Sequence, residues 1–109
     1  MLSVRSLYTA ARNQYQDAQS KRQLADSFAQ KAEQDRQLGK DVVADSEQST
    51  AERYAEEAER FDNQAAGYEA EALRRQHKAK SIEKEMENLK RDYDKKMDKL
   101  QRERDSILG

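Results

Sequence analysis

Alanine returns at every seventh residue at Ala11, Ala18, Ala25 and Ala32, and again at Ala51, Ala58, Ala65, Ala72 and Ala79. A seven-residue period holds one position on a single stripe of a helix that is slightly underwound against a partner, so this spacing commits the chain to paired helices. Val4 and Gly39 fall in the frame of the first series. The other seam position carries bulkier residues: Leu7 and Phe28 in the first series, Tyr54, Phe61 and Tyr68 in the second, with Tyr8, Tyr15 and Leu24 on the flank. Small residues on a seam let two backbones approach closely, and the neighbouring aromatics then cover the groove.

The two series are mirror images in position. Ala32 and Ala51 lie equally far from the point between residues 41 and 42, and so do Ala25 and Ala58, Ala18 and Ala65, Ala11 and Ala72, and Val4 and Ala79. An antiparallel hairpin therefore sets alanine opposite alanine along its length. Gly39-Lys40-Asp41 supplies the turn, because glycine tolerates the left-handed conformation that ends helices. Ser49-Thr50-Ala51-Glu52 reads as a capping box with Ser49 as N-cap, and Asp41 is a competing cap that would start the second helix at Val42. The expected fold class is all-α: an antiparallel two-helix, Ala-rich coiled-coil hairpin whose second helix extends as a coiled-coil stalk. The expected organisation is one helical domain over residues 1–109, with helix 1 at 1–38, the turn at 39–48, the second hairpin arm at 49–79 and the stalk at 80–108.

Composition points the same way. The chain has no proline and three glycines, so it lacks the punctuation of turn-rich β folds. Hydrophobic residues are 35% and charged residues 39%, too polar for a large globular core. Disorder, the rival for so polar a chain, usually goes with strong charge imbalance, whereas the net charge here is −1. The charges are also sorted. Residues 1–40 carry a net +3, residues 41–72 a net −8 and residues 73–109 a net +4. A basic arm beside an acidic one favours the antiparallel register, although an exposed pair contributes only about 0.2–1 kcal/mol.

After Ala79 the seam changes from alanine to larger residues. Ile82, Met86, Leu89 and Tyr93 follow four-three-four spacing, and Met97 and Leu100 enter after an inserted four-residue step, a stutter that continues through Arg104 to Ile107. This stripe has no partner left in its own chain, and a helix without a partner buries little. Ile82, Met86, Leu89, Tyr93, Met97 and Leu100 are therefore the expected association residues. The hairpin is expected to be held by Ala11, Ala18, Ala25, Ala32 and Phe28 against Ala51, Tyr54, Ala58, Phe61, Ala65, Tyr68 and Ala72.

Chemistry is hard to find. His77 is the one histidine, no cysteine can share a metal with it, and Arg74 occupies the place three residues before it where a helix-bundle metal site needs glutamate. Gly39 and Gly67 stand alone, so no Gly-rich phosphate loop exists. Carboxylates are plentiful, but acid–base work needs a buried pocket that shifts their pKa values. The expectation is a non-enzymatic structural or adaptor protein that needs no cofactor and acts through self-association and protein–protein contacts. A homodimer is the favoured assembly, with a heterologous helical partner as the alternative. A coiled-coil accessory of a secretion or motor assembly is a second reading.

A third reading is a binder of nucleic acid or anionic lipid through Arg74, Arg75, Lys78 and Lys80. Acids such as Glu83, Glu85, Glu87, Asp92 and Asp94 follow close behind, and local counter-charges compete with a polyphosphate. Nucleic acid is thus disfavoured. A membrane partner is disfavoured too, because the apolar seam is narrow and no run nears the roughly 20 residues that span a bilayer. The lack of cysteine fits a cytoplasmic setting. Organelle import is the minor alternative, since the N-terminus is basic and carries no acid before Asp17.

Overall fold

The computed structural model describes residues 2–109, and among them there are two α-helices and no strand. Helix α1 runs Val4–Gln37 and helix α2 runs Asp41–Leu108, 34 and 68 residues long. The chain is all-α, an antiparallel alanine-seamed hairpin whose second helix continues as the longer arm. It divides into two compact units: a hairpin that ends at Leu73, and the segment Arg74–Gly109.

Helix α1 starts where serine can cap it. The Ser3 hydroxyl accepts from the Ser6 backbone N–H at 3.1 Å, and the Ser3 carbonyl receives the first helical bond from Leu7 at 3.0 Å. It ends in a Schellman motif. The Lys40 N–H reaches back to the Asp35 carbonyl at 2.8 Å, the Gly39 N–H reaches the Arg36 carbonyl at 3.1 Å, and Gly39 takes φ +79. The left-handed residue turns the chain, and the Lys40 carbonyl at once accepts the first bond of α2, from Ala44 at 2.9 Å.

The link is therefore Leu38–Lys40, much shorter than the expected 39–48, and neither proposed cap survives. Ser49 lies inside α2, and the neighbouring Thr50 hydroxyl donates to the Ser46 carbonyl at 3.1 Å. Asp41 is the first helical residue and contributes only a favourable acid in the first turn. Starting α2 early adds helix and buries Ala44 on the seam, which outweighs both an exposed cap and the burial of Glu47 that comes with it. No atom lies within 4 Å of where a Gly39 side chain would begin, so Gly39→Ala meets only the backbone penalty of positive φ. It is expected to cost about 1 kcal/mol, read as a lowered midpoint in thermal unfolding followed by circular dichroism. An unchanged midpoint would mean the chain turns by another route.

Within the hairpin the buried residues are almost all alanine. Ala11, Ala18, Ala25 and Ala32 on α1 meet Ala44, Ala51, Ala58, Ala65 and Ala72 on α2, and Leu7 and Glu47 are the large side chains among them. Ala79 is exposed, so the buried stripe ends one heptad before the alanine series does. The alternate seam positions are half-buried. Phe28, Tyr54, Phe61 and Tyr68 take them as expected, and so do Gln14, Lys21 and Asp35.

Phe28 stacks on Tyr54 with ring centroids 5.7 Å apart. Lys21 lays its stem along the seam, pairs with Glu57 at 3.1 Å and sits 5.2 Å from the Tyr54 ring centroid. Arg22 pairs with Asp62, and Arg36 with Asp45 at 3.1 Å. The stacked rings and these three ion pairs lie within five residues of the mirror relation. In each ion pair α1 supplies the cation and α2 the acid, as the sorted charges require.

Candidate association surface

Two places in the chain depart from a plain solvated helix. The first is at the closed end of the hairpin. Glu47 is 8% exposed, and neither of its carboxylate oxygens finds a hydrogen-bond donor. It faces Asp35 on α1. Proton sharing with the Asp35 carboxyl, then burial, then the like charge of Asp35 raise the Glu47 pKa, and Lys31 and Lys40 pull it the other way. Two carboxylates cannot bond to each other until one takes a proton, so the ionised pair is a strained contact of the seam. Sequence reasoning missed it because an extended turn hid Glu47. The signal was present, since Glu47 stands seven residues before Tyr54.

Further from the turn, Tyr15 lies near Glu69 of α2. Burial, followed by the charge of Glu69 and a hydrogen bond to it, raises the Tyr15 pKa. Neither pairing sits in a cleft. The surface grooves, such as that lined by Lys21, Glu57, Arg60, Phe61 and Gln64, are shallow and open to solvent. Among the described residues no group of His, Cys, Asp and Glu could hold a metal ion, and His77 is exposed. Among the described residues no helix is long and apolar enough to cross a membrane.

The second place is the segment Arg74–Gly109, a single helix up to Leu108. Every residue in it is exposed except Arg75, which is half-buried. Of the four candidate anion-binding residues, Arg74, Lys78 and Lys80 are open to solvent, while Arg75 occupies the frame position that Tyr54, Phe61 and Tyr68 hold earlier in α2.

The six candidate association residues stand on the open helix. Exposure runs from 37% at Met97 through 48% at Ile82 to 70% at Leu89, with Met86, Tyr93 and Leu100 between. Shallow grooves run along the same side, one by Glu83, Met86, Glu87 and Lys90 and another by Leu89, Lys90, Asp92, Tyr93 and Lys96. Met86, Tyr93, Leu100 and Ile107 keep the seven-residue frame of Ala72 and Ala79 without a break, while Ile82 and Leu89 hold the alternate position. The stutter therefore affects only the alternate seam position, where Lys96 and Glu103 replace apolar residues and Met97 sits beside the stripe. The helix thus carries an exposed apolar stripe at seven-residue spacing. Comparison of the chain with known protein families, with curated proteins and with solved structures finds no significant match.

Proposed function

We propose that this protein is a non-enzymatic structural or adaptor coiled coil that associates through the helix of residues 74–109. The observation that carries the reading is the exposed stripe from Ile82 to Leu100, on a stretch of α2 in which every residue is exposed. Isolated helices are marginal in water, and most helical stability in proteins comes from burying an apolar face. A second copy of the chain is the proposed partner, and the missing cysteines suit a cytoplasmic setting.

The test is the mass of the full chain in solution, by light scattering after size exclusion, beside a Met86→Lys/Leu89→Lys variant. The expected result is a dimer for the natural chain and a monomer for the variant, because four ammonium groups then enter one apolar seam. A monomeric natural chain would remove self-association and leave a different helical protein as the partner.

A further inference from the structure

We infer that the second copy binds antiparallel, with Leu89 level with the partner's Leu100 and Ile82 level with the partner's Ile107; this rests on the self-association just proposed. The register follows from the heptad frame. Met86, Tyr93, Leu100 and Ile107 form one row of the seam, and Ile82, Leu89, Lys96 and Glu103 form the other. A parallel dimer sets each residue against its own copy. Lys96 would then face the partner's Lys96, and Glu103 the partner's Glu103, both inside the seam. On the flank, Lys99 would meet the partner's Arg104.

An antiparallel dimer sets one row against the other. About a twofold axis between Asp94 and Lys95, the layers become Ile82 with the partner's Ile107, Leu89 with the partner's Leu100, Tyr93 with the partner's Lys96, and Met86 with the partner's Glu103. No like charges share a layer. The lysine and glutamate stems can lie along the seam and carry their charges outward.

The flanking charges agree. In this register Glu83 comes beside the partner's Arg104, and Asp92 beside the partner's Lys99, each pair occurring twice by symmetry. Flanking charges of this kind choose partner orientation more than they add affinity. Arg104 is available for the exchange. Its ion pair among the described residues is with the adjacent Asp105, at 3.1 Å, and neighbouring residues on a helix do not face each other squarely.

Disulfide trapping tests the register cleanly because the natural chain has no cysteine. Leu89→Cys and Leu100→Cys are made separately in the full chain. Each is refolded alone, and the two are refolded together, before mild oxidation with copper phenanthroline. Light scattering of the reduced proteins is run alongside. The expected result is dimeric mass throughout, no covalent dimer from either variant alone, and covalent dimer from the mixture in about half of the pairs, the share that random pairing makes mixed. Ready cross-linking of Leu89→Cys with itself would show a parallel dimer. A dimeric mass with no cross-link in the mixture would show a different register or surface. Either outcome overturns the antiparallel register and leaves self-association standing. A monomeric mass for the natural chain overturns both.

Discussion

Ala18→Leu and Ala65→Leu are each expected to destabilise the hairpin by about 1–3 kcal/mol, the usual cost of forcing extra methylenes into a closed seam. Both alanines are 0% exposed, and they occupy mirror positions on α1 and α2. A leucine at either place must push the opposing backbone away. The displacement would also loosen the half-buried layers on both sides, where Gln14 and Lys21 flank Ala18, and Phe61 and Tyr68 flank Ala65. Leucine is nearly as good a helix former as alanine, so the loss cannot come from propensity. Ala66→Leu, on the exposed neighbour, serves as the control and should stay within about 0.5 kcal/mol of the natural chain. The measurement is urea unfolding followed by circular dichroism. Putting both leucines in one layer should open the hairpin altogether, and equal midpoints for all variants would mean the two alanine stripes do not face each other.

Glu47→Gln is expected to stabilise the hairpin at neutral pH, with a gain that disappears on acidification. The folded-state pKa of Glu47 is raised, chiefly by the Asp35 carboxyl. A group raised in this sense contributes stability that is complete below its unfolded pKa and is lost as pH rises through the folded value. Above the raised folded-state value, Glu47 places a second negative charge beside Asp35 that Lys31 and Lys40 only partly offset, and glutamine removes that charge. As pH falls toward the ordinary carboxyl range, Glu47 takes up a proton and the two proteins converge. Thermal midpoints of both proteins across this range check the claim by their difference, since the other ion pairs weaken equally in each. A difference that grows on acidification would show that Glu47 is held in its charged form.

The hairpin itself was legible because its signal is periodic and repeated. One alanine in seven could be accidental, but two mirror-related series leave one antiparallel solution, and the buried residues follow it from Ala11 to Ala72. The sorted charges were legible for the same reason, as the Lys21–Glu57 and Arg36–Asp45 pairs confirm. The exposed stripe was also legible, since Ile82, Met86 and Leu89 could not be matched to anything in the first helix.

Local chemistry was less reliable. Ser49-Thr50-Ala51-Glu52 has every feature of a capping box, yet it lies inside α2, because a cap contributes only about 1 kcal/mol and competes with burial of further seam layers. Gly39 was correctly placed at the turn, but its effect on length needed the Schellman bonds from Gly39 and Lys40, which let one helix start as the other closes.

By itself, then, the sequence determined the helices, their antiparallel pairing and the stripe left over, because heptad periodicity is a property of the chain that survives whatever each polar side chain does. Only the tertiary structure decided where α2 begins and which polar residues enter the seam. Gln14, Lys21, Asp35 and Glu47 sit at positions that a hydrophobic pattern leaves blank. Their acceptance depends on what the opposing helix offers: Glu57 and the Tyr54 ring for Lys21, and another carboxyl for Glu47. Those partners lie far away along the chain or across a turn, and no local pattern brings them together until the alanine seam has closed.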